Sequence, residues 1–283
     1  MPPRDNPSAR QMRLGAELRK LRERAGRTAR EAAGLLSTDQ AKISHIEAGR
    51  IGVSEERIRR LAAFYSCRDE ALVEALCAIA REHRGRGWWE AYRGVLAPRF
   101  LDIAELEHHA VRLRALQPVT FPGVFQTESY ARALFKGSPA LPADEIEARV
   151  EHRLRRAAIF ERESPPPFEA IVHEAALRMR VGGRKVTREQ LDHLMEVSEW
   201  PSVTVRVIPF ASEDFIELNL TALYAGGVVP QLDTVQIDTP LGGRYLDAVA
   251  DLGTYRELFD LAERASLDPV ESRNFIHDVA GEL

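Results

Sequence analysis

The chain has 283 residues, long for one hydrophobic core, and its 45% hydrophobic and 29% charged residues are ordinary globular usage, which excludes a peptide, a tail and a disordered chain. The formal net charge of −4 hides a split: residues 1–64 hold fourteen Lys/Arg against eight Asp/Glu, a net of +6, and the rest holds 25 against 35, a net of −10. A basic head on an acidic body suits a polyanion at the head alone, because phosphates are attracted by the first and repelled by the second. Cys67 and Cys77, ten residues apart, fit neither a disulfide framework nor a CxxC pair. Met1 to Pro7 offers no apolar stretch for a signal peptide, and the best apolar run, 71–80, is interrupted by Glu74 and too short to span a bilayer. The expectation is a soluble, cytoplasmic protein without membrane contact.

In chain order, Leu14, Leu18 and Leu21 give one apolar face to a helix from Arg10 to Ala25, stopped by Gly26. Thr28 caps a second helix through Ala32, Ala33 and Leu36; Asp39 caps a third, ended by Gly49. Ser54 caps a fourth that turns Ile58, Leu61, Ala62 and Tyr65 inward, and a fifth covers Asp69 to His83. Gly85-Arg-Gly-Trp-Trp then breaks the pattern, which predicts a helical domain over 1–84 and a second domain over 85–283. Beyond the break, helices are predicted at 103–116, 128–135, 143–163, 187–198, 248–265 and 269–280. Strands are predicted at 168–172, 203–208, 218–224 and 234–237. Helices and strands with few βαβ alternations predict a mainly α chain with an α+β second domain.

The informative stretch is Thr28 to Gly49, TAREAAGLLSTDQAKISHIEAG. Two short helices joined by a tight Leu36-Ser37-Thr38 turn, inside a basic helical unit, have the spacing of a helix-turn-helix. At about 100° per residue, Gln40 and Ser44 share one face of the third helix with Ala41 and His45 beside them, while Ile43 and Ile46 point away. Such a helix can be anchored by its apolar side and enter a major groove with its polar side. Gln40 suits adenine, Ala41 a thymine methyl and Ser44 either base, so these three are the candidate base contacts. Lys42 and His45 at the edge of that face, Arg50 just beyond it and the helix start at Thr28 are the candidate phosphate contacts.

The segment from Leu14 to Tyr65, with LGAELRKLRERAG, KISHIEAGR and RIRRLAAFY, resembles the XRE (lambda-repressor-like) helix-turn-helix regulators. That resemblance implies a five-helix domain in which Glu47 makes a structural ion pair with the first helix; Arg19 or Arg22 are the candidates, Arg19 being the pair adopted. It also shows a departure, Ala29 standing where the family commonly has a phosphate-contacting Gln. From about 88 to 280, the blocks PVTFPGVFQTESYARALF, IEARVEHRLRR, FEAIVHEAALRMRVGG and YRELFDLAERASLDPVESRNFIHDVA resemble the large domain of actinobacterial WhiJ-like, antitoxin-like regulators. This implies a transcription regulator whose body senses a ligand or a small protein encoded nearby.

Other motifs fall short. His173-Glu174 begins like HExxH, but Leu177 stands where the second histidine belongs. Glu107-His108-His109 with His83 makes a poor metal cluster, since neighbours on a helix point about 100° apart. Gly182-Gly183-Arg184-Lys185 lacks P-loop spacing, and Gly226-Gly227 and Gly242-Gly243 read as turns. No residue is nominated as catalytic, and no cofactor or metal is expected. Trp88, Trp89, Tyr92 and Phe100 admit two readings, a plug between head and body or the wall of an apolar pocket. One head buries too little to select a genomic site, so a homodimer on a pseudo-palindromic double-stranded DNA operator is expected.

Overall fold

Five helices open on side chains that cap them: Ser8 before α1 (Ala9–Arg24), Thr28 before α2 (Ala29–Leu35), Asp39 before α3 (Gln40–Glu47), Ser54 before α4 (Glu55–Phe64) and Asp69 before α5 (Glu70–Arg81). Each cap oxygen accepts from the backbone N–H three residues on, a bond worth about 1 kcal/mol of helix stability. The computed structural model describes residues 7–82, 87–137, 145–214, 221–239 and 242–283. It divides into two units, Met1–Ala91 with Gly227–Leu232, and Tyr92–Gly226 with Asp233–Leu283. The boundary expected after residue 84 falls in 83–86, outside the described residues, as does His83.

The first unit closes around Leu14, Leu18, Ile43, Ile46, Ile58, Leu61, Leu72 and Leu76, with Val229 and Leu232 packed among them. Gln231 ties the same segment down: its Nε2 donates to Asp69 Oδ2 at 2.7 Å, and its carbonyl accepts from Arg13. Helices α1 and α3 touch at glycine. A Cβ on Gly15 would lie 2.4 Å from the Glu47 carbonyl oxygen, and one on Gly49, whose φ is 70°, would lie 2.8 Å from the backbone of Gln11. The crossing admits only residues without a side chain at those two points.

The second unit is built on a six-stranded sheet in the order β3-β2-β1-β4-β5-β6. β1 (Arg112–Gln117), β2 (Phe168–His173) and β3 (Val203–Ile208) run parallel, and β4 (Ala222–Gly226), β5 (Thr234–Thr239) and β6 (Gly242–Leu246) continue antiparallel. Its helices are α6 (Pro98–His109), α7 (Glu128–Lys136), α8 (Ile146–Arg155), α9 (Glu174–Arg178), α10 (Arg184–Val197), α11 (Val249–Arg264) and α12 (Pro269–Gly281). One sheet face, with Leu113, Ala115, Ala170, Val205 and Leu223, packs on Phe121, Phe125, Leu191, Leu194 and Ile276. The opposite face, with Leu116, Ile171, Tyr224 and Val235, packs on Leu252, Phe259 and Ala262 of α11. The chain is mainly α with an α+β second unit. Among the described residues no helix is long and apolar enough to cross a membrane.

Some expectations are corrected. The helix predicted at 103–116 ends at His109, and its second half is the central strand β1, paired on both edges, with Leu113, Ala115 and Gln117 buried on one face and Leu116 on the other. Gly242-Gly243 is the start of β6 rather than a turn; a Cβ on Gly243 would sit 3.0 Å from Gln236 Nε2 on the neighbouring strand. The helix predicted at 143–163 is α8 followed by a 3-10 segment, Arg156–Glu161, with residues 143–144 outside the described ones. The strand predicted from 218 is described from Ala222 onward.

Candidate nucleic-acid interface

The α2–α3 corner is set by local chemistry. Ser37 takes the left-handed conformation, φ 50°, and the Thr38 N–H returns to the Ala33 carbonyl at 3.0 Å, ending α2 before Asp39 opens α3. α3 is then two-sided. Ile43 and Ile46 are 1% and 3% exposed, whereas Gln40, Ala41 and Ser44 are exposed and Lys42 and His45 lie half-buried at the flanks. Ser44 Oγ donates to the Gln40 carbonyl at 3.2 Å, and the Gln40 amide bonds nothing among the described residues.

The far end of α3 is locked by Arg22, whose Nε and Nη2 donate to Glu47 Oε1 at 2.6 Å and Oε2 at 2.9 Å. The bond to Glu47 holds the Arg22 pKa above the ordinary arginine range. Arg19, the partner adopted from the sequence, instead bonds Glu23 at 2.7 Å. The reason is helical phase: Arg22 sits about 60° nearer the buried stripe of α1 than Arg19 does.

Thr28 is committed to its own helix. Its N–H and its hydroxyl both donate to Glu31 Oε2, at 2.7 and 2.8 Å, so the start of α2 already holds a carboxylate where a phosphate was expected. Arg30, two residues on, is an exposed cation that the sequence reading missed. Arg30, Lys42 and Arg50 have no ion pair among the described residues, whereas Arg27 and Arg59 are occupied by Glu31 and Glu74.

In the second unit, a cavity of about 720 Å³ opens over the β1, β4, β5 and β6 part of the sheet. Ala115, Leu223, Gln236 and Tyr245 form a continuous cross-strand row on its floor, and Arg99, Phe100, Ile103 and Glu107 of α6 line it with Arg149, Arg153 and Arg156. Inside, Arg156 Nε and Nη2 donate to Glu107 Oε2 and Oε1 at 2.7 and 2.6 Å, both side chains buried. The arginines at 149, 153 and 156 follow helical spacing along one face, a pattern open to the sequence reading but not singled out by it. The aromatic group divides: Phe100 lines the cavity and, with Tyr92, sets its ring edge-on to His152, whereas Trp88 and Trp89 meet each other in the first unit. His173 and Glu174 join β2 to α9, and His108 Nδ1 faces Arg162 at 2.7 Å.

A capped two-helix corner that shows a polar recognition face defines a helix-turn-helix protein, and residues 13–76 match a family model described as Helix-turn-helix domain. That match supports a DNA-binding regulator of transcription. Residues 100–278, more than half the chain, match the Domain of unknown function (DUF5753), and the chain belongs to that family. No curated protein and no solved structure matches it.

Proposed function

We propose that the chain is a sequence-specific regulator that binds double-stranded DNA through α3 as a homodimer on a pseudo-palindromic operator, with its second unit sensing a ligand or a small protein. Binding, not catalysis, is the activity. One observation carries the reading: Gln40, Ala41 and Ser44 stand exposed on α3 while Ile43 and Ile46 fix the same helix in the core. A rigid helix with a short polar face is what the major groove accepts. Arg30 on α2, Lys42 on α3 and Arg50 just past α3 have no ion pair among the described residues and can neutralise phosphates, and the acidic remainder of the chain keeps DNA to the head.

Selection of random duplexes with the purified protein, followed by footprinting of the enriched sequences, tests the proposal. Two half-sites about one helical turn apart are expected. Failure to enrich any sequence would overturn readout by α3 and leave the antitoxin-like alternative, in which the second unit holds a small protein partner.

A further inference from the structure

The cavity of the second unit contains a cation to which no carboxylate is bonded among the described residues. Of the three arginines that reach it around α8, Arg149 bonds Glu145 at 2.6 Å and Arg156 is gripped by Glu107. Arg153 between them has no carboxylate. Its Nη1 donates to the neutral Gln126 Oε1 at 2.6 Å, and its guanidinium carbon lies 4.9 Å from the centre of the Phe135 ring. No ion pair to Arg153 exists among the described residues; Asp238 and Glu107 act on it only through space.

Burial, and next the charge of Arg156, push the Arg153 pKa down to about 9. An arginine keeps its proton inside a protein, so this half-buried position holds a partly desolvated positive charge. Taking such a charge from water without a counter-charge is costly, and an anion that entered would relieve the cost. The cavity has room for one, since small-molecule sites occupy about 300–1,000 Å³. Its walls are of two kinds. Phe100, Ile103 and Phe121 offer an apolar and aromatic surface, Gln117, Thr120 and Gln236 offer amides and hydroxyls, and the one carboxylate in the wall besides Glu107 among the described residues, Asp238, accepts from Gln236 Nε2 at 2.7 Å and makes no ion pair with Arg153. Arg99, exposed and also without an ion pair among the described residues, adds a second positive charge. At Gly123 a Cβ would lie 2.8 Å from Arg156 Nη1 and 3.1 Å from Arg153 Cδ, so glycine leaves both arginines their place in the cavity wall.

We infer that this cavity binds a small organic anion, with its carboxylate or phosphate on Arg153 and its apolar body against Phe100 and Phe121. The inference deepens the sensing half of the proposed function and rests on it only for its regulatory meaning. Occupancy is measured without DNA, so the site and the operator can fail separately.

The test is calorimetric titration of the full chain, with thermal unfolding alongside, using 4-phenylbutyrate, phenyl phosphate and the neutral 4-phenylbutanamide as probes. At least one anion is expected to bind and raise the unfolding midpoint, while the amide does neither. Response to the carboxylate alone or the phosphate alone distinguishes the two head groups. Arg153→Gln weakens the bound anion about tenfold or more. Gln126→Glu, which sets a carboxylate against Arg153, does the same. Arg264→Gln, an exposed charge on α11, leaves affinity unchanged. Because no carboxylate is bonded to Arg153 among the described residues, Arg153→Met is expected to leave the unliganded protein at least as stable as the wild type, which separates a ligand site from a structural ion pair. Equal binding of acid and amide would overturn the inference, as would unchanged affinity in both Arg153→Gln and Gln126→Glu, or no response to either anion up to about 10 mM.

Discussion

Arg22 on α1 and Glu47, the last residue of α3, form a two-pronged ion pair with side chains only 12% and 9% exposed. It fixes the end of the helix whose beginning carries Gln40. Glu47→Gln is expected to lower the free energy of unfolding by about 2 kcal/mol, since Arg22 would keep its charge in a half-buried place without its acid. Arg19→Ala should leave the denaturation midpoint where it is, because the Arg19–Glu23 pair lies at the surface. Urea unfolding of the two variants separates the half-buried bond to α3 from the surface pair within α1.

Glycine separates two effects in the same unit. Gly15→Ala puts a methyl group into the backbone of α3 and should cost about 1–3 kcal/mol, as overpacking does. Gly34→Ala, inside α2 with nothing within 4 Å of the added carbon, should gain up to about 1 kcal/mol from helix propensity. Opposite shifts of the thermal midpoint are the expected result.

The Glu107–Arg156 pair beneath the cavity is buried on both sides. Glu107→Gln leaves the Arg156 guanidinium without its acid and should destabilise the second unit by about 3–5 kcal/mol. Calorimetric unfolding checks it, and the loss should exceed that of Glu47→Gln.

His152 gives the fold a sensitivity to acid. It is 1% exposed, and burial, followed by the charges of Arg156, Arg153 and Arg155, pushes its pKa down to about 3. In the unfolded chain a histidine takes its proton near pH 6.5, about three units earlier. Between those values the unfolded state binds more protons, so stability falls as pH is lowered, by at most about 1.4 kcal/mol per pH unit from this group. His152→Leu should flatten that part of the slope between about pH 6 and pH 4 in urea titrations.

What could be read from the sequence was local. The caps Thr28, Asp39, Ser54 and Asp268 and the two-sided phase of α3 depend on residues within one or two turns, and they stand where the pattern put them. β1 was hidden because Leu106, Ala110, Leu113 and Leu116 keep helical spacing, and nothing between His109 and Arg112 breaks the chain. Only pairing with β2 and β4, both distant in sequence, makes that segment a strand. β6 was hidden by its glycines, of which Gly243 serves a close approach to Gln236 and Gly242 takes a φ of 118°. Between Arg19 and Arg22 the phase of the Leu14, Leu18 and Leu21 stripe, itself legible in the sequence, already favours Arg22. The spacing of Arg149, Arg153 and Arg156 could be read from the sequence, but that Arg153 alone lacks a bonded acid could not, since it is a property of the folded surroundings.

The most direct test measures DNA affinity against salt concentration for wild type, Gln40→Ala and Arg50→Ala, each on the selected operator and on a scrambled duplex. Gln40→Ala should weaken the operator by about 1–3 kcal/mol, leave the scrambled duplex unchanged and keep the salt slope. Arg50→Ala should weaken both duplexes alike and reduce the slope by about one ion. If the two variants lose the same affinity on both duplexes, or if Gln40→Ala loses none, α3 does not read the bases.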